Sequence, residues 1–245
     1  MTLQDNARTL GIDLSDAQIN AFERFQHELL DWNQRMNLTS ITDPAEIQTK
    51  HFLDSLSCLL ALPQADSRPL TEWLASAPRA VDIGSGAGLP GIALKIAWPG
   101  LRLTLLDATA KKCAFMQHVV DTLGLTDVTV VQARAEDFGH RAGRIAYELA
   151  FARAVSKLPT LLEYGLPMLK QGGLFVMQKG RAPQEEIDSA RQALKTLGGK
   201  LRTVLPVTVP ELDAERSLIV VSKVTQTPAI YPRRAGLPER EPISS

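Results

Sequence analysis

The chain of 245 residues has room for one large α/β domain and a small appendage, and it is too short for two full-sized catalytic domains. Its 44% apolar and 22% charged residues exclude global disorder and supply enough apolar surface for a sizeable core. Lysine plus arginine and aspartate plus glutamate both number 27, so the net charge is zero and a polyanionic partner must be met by a local patch.

From Met1 to Asp16 the chain is polar, without the apolar core of a secretory leader. No stretch approaches the roughly 18 apolar residues of a membrane span, so the cytoplasm is the expected location. Ile19, Phe22, Phe25, Leu29, Leu30 and Trp32 recur at three- and four-residue steps, which predicts an amphipathic helix over about Ser15 to Arg35, capped by Ser15. A second helical pattern, with Ile47, Phe52, Leu56, Leu59 and Leu60, is expected to begin after Asp43-Pro44 and to end before Pro63. Residues 1–62 therefore read as a helical amino-terminal extension. The proline-broken stretch that follows reads as a connector with at most one short helix, about Leu70 to Ala75.

From Arg79 onward short apolar runs alternate with helical segments, the trace of βαβ units and a mostly parallel sheet. Strands are predicted near Ala80 to Ile83, Arg102 to Leu106, Val128 to Gln132, Leu149 to Ala152 and Leu174 to Gln178. Helices fall between them at about Gly91 to Ile96, Lys111 to Leu123 and Leu158 to Leu169. A helix over about Gln184 to Leu197 and two strands, Lys200 to Val209 and Arg216 to Lys223, complete residues 63–224. The short link between those last strands implies an antiparallel hairpin at the sheet edge. A seven-stranded, mostly parallel sheet with one antiparallel strand resembles the Rossmann-like fold of methyltransferases that use S-adenosylmethionine, whereas a dinucleotide-binding sheet usually finishes parallel. Residues 225–245, rich in proline and arginine, read as an extended strap over the surface.

The stretch Val81-Asp82-Ile83-Gly84-Ser85-Gly86-Ala87-Gly88-Leu89-Pro90-Gly91 puts an acidic residue at a strand end and three alternating glycines after it. Such a loop lets a ligand approach the backbone, and Pro90 can open the next helix, whose amino terminus then faces the ligand. Gly86, Gly88 and Gly91 also satisfy the GxGxxG spacing of nicotinamide and flavin enzymes, so the glycines alone do not choose between cofactors. Asp82 tips the balance, because a carboxylate suits the cationic amino-acid end of S-adenosylmethionine and sits badly beside a pyrophosphate. Asp107, at the end of the next strand, is placed to accept hydrogen bonds from ribose hydroxyls. After the third strand, Arg134-Ala135-Glu136-Asp137 stands where an adenine would lie, with the amides of Ala135 and Glu136 or a carboxylate to hold the base; a solvated turn is the alternative.

The expected nucleophile follows partly from absences. Methylation at a pyrimidine carbon needs a cysteine, yet Cys58 lies in an apolar helical run and Cys113 opens a helix. Methylation of an exocyclic amine usually comes with an Asn/Asp-Pro-Pro-aromatic loop after the fourth strand, where this chain has Ala152-Arg153-Ala154-Val155-Ser156. A ring nitrogen such as guanine N7 loses no proton on attack and requires no general base. Arg153, at a strand tip, is then the candidate catalytic residue, as a hydrogen-bond donor to cofactor or guanine O6, or else simply the partner of a carboxylate.

With these residues in hand, the chain resembles the small-subunit ribosomal RNA guanine-N7 methyltransferases, also called glucose-inhibited division protein B. The likeness is carried by Asn37-Leu38-Thr39, His51-Phe52-Leu53-Asp54-Ser55-Leu56, the loop from Asp82 to Ile92, Leu105-Leu106-Asp107, Arg134-Ala135-Glu136, Ala152-Arg153-Ala154, Gln178-Lys179-Gly180 and Tyr231-Pro232-Arg233-Arg234-Ala235-Gly236-Leu237-Pro238. It implies S-adenosylmethionine as cofactor, held by Gly84, Leu89, Ala135, Glu136 and Arg153. It also implies guanine 527 of 16S ribosomal RNA as target, in the naked RNA or the small subunit. Val155 departs from the aromatic residue often found there, which puts stacking at that position in doubt. Asn37, His51, Asp54, Lys179, Arg181, Arg233 and Arg234 are candidate RNA contacts. Each also has a plain structural reading: Asn37 as a cap, His51 and Asp54 as a helix-surface pair, the basic residues as a solvated face. Neither metal nor membrane is expected, and the protein is expected to act as a monomer.

Overall fold

A computed structural model of the chain describes residues 2–153, 155–180 and 184–243. Its amino-terminal part is helical. α1 (Leu3–Thr9) and α2 (Asp16–Met36) are each opened by a capping box, Thr2 with Asp5 and Ser15 with Gln18, which satisfies amides that a helix start leaves without partners. α2 ends at Asn37 in the left-handed conformation, φ 48°. α3 (Pro44–Ile47) then runs unbroken through a π-helical stretch at Gln48–Leu53, α4 (Asp54–Leu56), a 3-10 turn at Ser57–Leu60 and α5 (Ala61–Asp66). The expected stop before Pro63 is corrected: Pro63 lies in the first turn of α5, where a helix tolerates the ring and its missing N–H. α6 (Leu70–Leu74) is the short connector helix.

The sheet contains β1 (Arg79–Ile83), β2 (Arg102–Asp107), β3 (Val128–Gln132), β4 (Tyr147–Arg153), β5 (Leu169–Lys179), β6 (Gly199–Val207) and β7 (Arg216–Lys223), in the order β3-β2-β1-β4-β5-β7-β6. Strands β1 to β5 pair in parallel, and β7 is antiparallel to both neighbours. This is the Rossmann-like methyltransferase arrangement expected from the strand pattern. The helices are α7 (Gly91–Ala97), α8 (Ala110–Leu123), α9 (Ala135–His140), α10 (Leu158–Gly165), α11 (Gln184–Ser189), α12 (Arg191–Leu197) and α13 (Leu237–Arg240). No helix is expected from the sequence at α1, α9 or α13, which fall in the polar start, the turn after β3 and the strap, and two further helices differ in extent. The one predicted over Gln184 to Leu197 breaks at Ala190, whose amide is shared between the carbonyls of Glu186 and Ile187. The one predicted to reach Leu169 stops at Gly165, followed by a 3-10 turn around Pro167; a Cβ on Gly165 would stand 2.2 Å from the Phe175 ring.

Central strands are buried on both faces, and alternate residues feed two cores. Ala80, Leu149, Phe151, Val176 and Val220 face the layer that holds α2, α7, α8 and the 44–66 helical run, while Val81, Ala150, Phe175 and Val221 face α10 and α12. The amino-terminal helices are clamped to the first face by aromatic rings: Phe52 lies 5.1 Å from Phe22 and 5.2 Å from Phe25, and Phe25 lies 6.5 Å from Phe115 on α8. That clamp carries residues 48–57 to the carboxyl ends of the parallel strands. We expect Phe52→Ala to lower the unfolding free energy by about 3–5 kcal/mol, measured by urea denaturation. A loss under about 1 kcal/mol would contradict the clamp.

Candidate active site

The topology reverses direction at β1, with β2 on one side and β4 on the other, and a crevice opens there beyond the strand tips. The glycine loop forms its floor. Gly84, Gly86 and Gly88 all have positive φ, 69°, 60° and 79°. Gly84 and Ser85 donate their amides to Leu106 O, the Ser85 hydroxyl donates to Asp82 O, and Gly86 donates to Asp107 Oδ2 at 3.0 Å. The other oxygen of Asp107 accepts from Thr109 N at 2.8 Å. A Cβ on Gly86 would find only the Gly84 carbonyl, 3.9 Å away, so this stretch of backbone stays open to a ligand.

Asp82 does not stand where the sequence placed it. With alternate residues of β1 facing opposite sides, Asp82 lies under α7 and is fully buried. Its Oδ2 accepts from Gly91 N at 2.9 Å, and Oδ1 has no hydrogen-bond partner among the described residues. Gly91 is what makes room, since a Cβ there would stand 2.7 Å from that carboxylate. Burial, outweighing the Gly91 amide, pushes the carboxyl up to about 7. Asp82 therefore shapes the loop and the start of α7, while the crevice itself is lined by other groups.

Two adjoining cavities share Gly84. The larger, about 910 Å³, is walled by Thr39, His51, Asp54, Ser85 to Ala87, Leu89, Arg153, Gln178 and Arg216. Its centre is Asp54, 3% exposed. Arg153 Nη1 donates to Asp54 Oδ2 at 3.0 Å, and Arg216 Nε and Gln178 Nε2 both donate to Oδ1 at 2.9 Å. Arg153 Nη1 also reaches Lys50 O at 3.2 Å. His51 shares a 2.7 Å hydrogen bond with the Thr39 hydroxyl, and burial beside Arg153 lowers its imidazole to about 4, so the ring is neutral at pH 7. The second cavity, about 530 Å³, lies over β2 and β3, between Ile83, Leu106, Asp107, Ala133 to Glu136, Val155 and Tyr164 on one side and the carboxyl-terminal strap on the other.

The remaining candidates separate. Asn37 is the left-handed end of α2, and Leu38 and Thr39 line the cavity in its place. Lys179 borders the cavity, but its ammonium is held by Ser156 O at 2.6 Å and Glu186 Oε2 at 2.8 Å. Arg233 is bound to fully buried Glu163, and Arg234 is exposed on the strap. Ala154 and Arg181 lie outside the described residues. Gly88 packs against Ile92 and takes no part in either lining. Sequence reasoning missed Arg216, Lys112, Glu239 and Arg240, and gave Gln178, Ala235 and Gly236 no role in the site. Arg216 was the most findable, because an antiparallel last strand begins at the end where the parallel ones finish. Cys58 and Cys113 are buried, and burial raises both thiols, so neither is set up as a nucleophile.

Among the described residues, no group of three His, Cys, Asp or Glu could hold a metal, and no helix is long and apolar enough to cross a membrane. Removing the Asp54 carboxylate leaves two arginines facing one another without a counter-charge. Asp54→Ala should therefore cost about 3 kcal/mol in urea unfolding, and Asp54→Asn, which keeps an acceptor, roughly half of that. Stability equal to the parent would dismiss the hub. Asp82 binds its proton more tightly folded than unfolded, so its contribution is present below about pH 4 and is lost as pH rises toward 7. Relative to Asp82→Asn, the parent should lose stability over that window at up to about 1.4 kcal/mol per pH unit. Parallel pH profiles would refute the assignment.

Comparison with known proteins places the fold and the family. The 1,6-didemethyltoxoflavin-N1-methyltransferase of Burkholderia thailandensis, solved with S-adenosylhomocysteine, has a TM-score of 0.54 at 14% identity, covering 83% of this chain and 90% of that one, a likeness of fold. The ribosomal RNA small subunit methyltransferase G of Roseiflexus castenholzii is 48% identical over 97% of both chains. Its namesake in Alkaliphilus metalliredigens is 42% identical over 99% of this chain and 98% of the relative. The family profile described as rRNA small subunit methyltransferase G matches residues 18–218, and the chain belongs to that family of methyltransferases.

Proposed function

We propose that the protein transfers a methyl group from S-adenosylmethionine to N7 of guanine 527 in 16S ribosomal RNA, acting as a cytoplasmic monomer on the RNA or the small subunit. In this reading residues 1–62 are a helical extension, 63–224 the catalytic domain and 225–245 a tail. The observation that carries it is the junction of two unlike cavities at Gly84, one with Ile83, Leu106, Ala133, Ala135 and Val155 beside the carboxylates of Asp107, Glu136 and Glu239, the other bearing Lys50, Lys112, Arg153, Lys179 and Arg216 against Asp54 and Asp213.

The residues present suit the donor. Asp107 uses each carboxylate oxygen on one amide and keeps lone pairs for ribose hydroxyls. Ile83, Leu106, Ala135 and Val155 offer apolar contact for an adenine, and Glu136 an acceptor for its amino group. Gly84, Gly86 and Leu89 border the larger cavity, where the amino-acid end would lie. When bound, S-adenosylmethionine supplies a methyl group activated by a sulfonium.

In the larger cavity the chain's task is positioning. A guanine N7 attacks with an in-plane lone pair and loses no proton, so no general base is needed; neutral His51 serves as a hydrogen-bond partner. Arg153 is the residue we place on the reacting base. Its Nη1 is fixed by Asp54 and Lys50, and its Nη2 makes no hydrogen bond among the described residues, which leaves a donor for guanine O6. Arg216 and Lys112 add positive charge around the same cavity for the flanking phosphates.

Tritiated cofactor and small subunits from a strain that lacks this methyltransferase test the reading. Label should appear at a guanine N7 and direct borohydride and aniline cleavage to that position; label elsewhere, or none, would end it. Arg153→Ala should lower kcat/KM by about 100-fold, with S-adenosylhomocysteine affinity changing far less.

A further inference from the structure

Residues 225–243 cross the sheet's second face and end over the cofactor crevice, tied down along their length. Arg144 donates to Thr227 O at 3.0 Å and Tyr231 O at 2.8 Å, and a ring nitrogen of His140 meets Pro232 O. Pro232 packs on Gly139, where a Cβ would stand 3.1 Å from the ring. Arg233 clasps the buried carboxylate of Glu163 through Nε at 2.9 Å, Nη2 at 2.7 Å and its own amide at 2.7 Å, a charge-assisted, multidentate anchor. Beyond that anchor, Thr160 donates to Pro238 O at 3.0 Å and Ser156 to Glu239 Oε2 at 2.8 Å. The Gly236 amide, turned inward by a left-handed φ of 80°, donates to Glu136 Oε1 at 2.8 Å.

The consequence lies in the smaller cavity. Ala235, Gly236, Glu239 and Arg240 form its outer side, facing Asp107, Ala135 and Glu136 on the strand tips. Glu136 is 3% exposed; with Oε1 held by Gly236, its Oε2 accepts no hydrogen bond among the described residues. An acceptor on a nearly buried side chain, facing the cavity with an open lone pair over an apolar floor, fits the amino edge of an adenine.

We propose that the strap segment Ala235–Arg240 is the outer wall of the nucleoside half of the donor site, and that its Gly236 amide orients Glu136 as the acceptor for the adenine amino group. This rests on the reading of the crevice as a donor site. Arg233 and Glu163 anchor the segment, while Gly236 positions Glu136, so donor affinity depends on residues about a hundred positions beyond the strand tips they cover.

A chain ending at Arg234 keeps the Arg233–Glu163 pair and removes the wall, together with the Glu241 carbonyl that Arg233 also binds and the Ile243 side chain packed on the second core. Calorimetric titration of the full and shortened chains with S-adenosylhomocysteine and with adenosine is the test. Truncation should weaken both ligands by the same factor, about tenfold, since the loss is confined to the nucleoside half. Glu136→Gln should weaken S-adenosylhomocysteine about tenfold in the full chain and less than threefold in the shortened one, a coupling that a purely structural tail would not produce. If the shortened chain melts below the full chain, the double variant Glu239→Ala/Arg240→Ala, both exposed, should show the same common loss for the two ligands. Binding within twofold of the parent in a folded variant, or equal effects of Glu136→Gln with and without the wall, would overturn the proposal. Failure of the full chain to bind S-adenosylhomocysteine would overturn the donor-site reading itself.

Discussion

The Asp54 carboxylate is the interaction on which the crevice depends. It lies in the helical run before the sheet, yet it binds Arg153 at the end of β4, Gln178 near the end of β5 and Arg216 at the start of β7. Three neighbouring strand tips, already paired by the sheet, are thereby tied through their side chains to one oxygen pair. A buried carboxylate with two guanidiniums and an amide is tolerable because every oxygen is hydrogen-bonded, and because the arginines remain partly exposed, 16% and 24%, with their remaining donors toward the cavity. Lys50, Lys112, Arg153, Lys179 and Arg216 against Asp54 and Asp213 leave the larger cavity with a net positive lining.

That hub exists because of where the amino-terminal helices dock. The Phe52 ring sets the helical run against Phe22 and Phe25 of α2, Phe25 in turn packs on Phe115 of α8, and the π-helical stretch at Gln48–Leu53 advances the side chains that follow by a fraction of a turn. His51 and Asp54 are both buried as a result, one facing Thr39 and the other facing the strand tips. The extension is thus a wall of the site as well as part of the core.

The two ends of the crevice are built by different means. At the glycine loop the backbone does the work, with positive φ at three positions and amides pinned by Leu106 O and Asp107. Asp82 belongs to this scaffold: its buried carboxyl supports Gly91 from below, and its burial explains why an acidic residue before the glycines need not touch a ligand. At the far end the enclosure is supplied by the carboxyl-terminal strap, held by the Arg233–Glu163 pair.

Much was legible in the residues alone. Short apolar runs marked all seven strands, since burial on both sheet faces favours them, and a period of 3.6 marked the longer helices but not α1, α9 or α13; the glycine loop and Asp107 announced a nucleoside crevice through backbone chemistry that few other residues permit. Local pattern could not tell that Asp82 faces a helix, that Asn37 closes α2, or that Arg233 is an internal tie, because each of these depends on which side of an element meets a partner far away in sequence. The pairing of Asp54 with Arg153 and Arg216, across 99 and 162 positions, was decided only by the fold. A charged group keeps the same letter whether it is solvated or buried against its opposite, and only the packed structure sets which of the two it becomes.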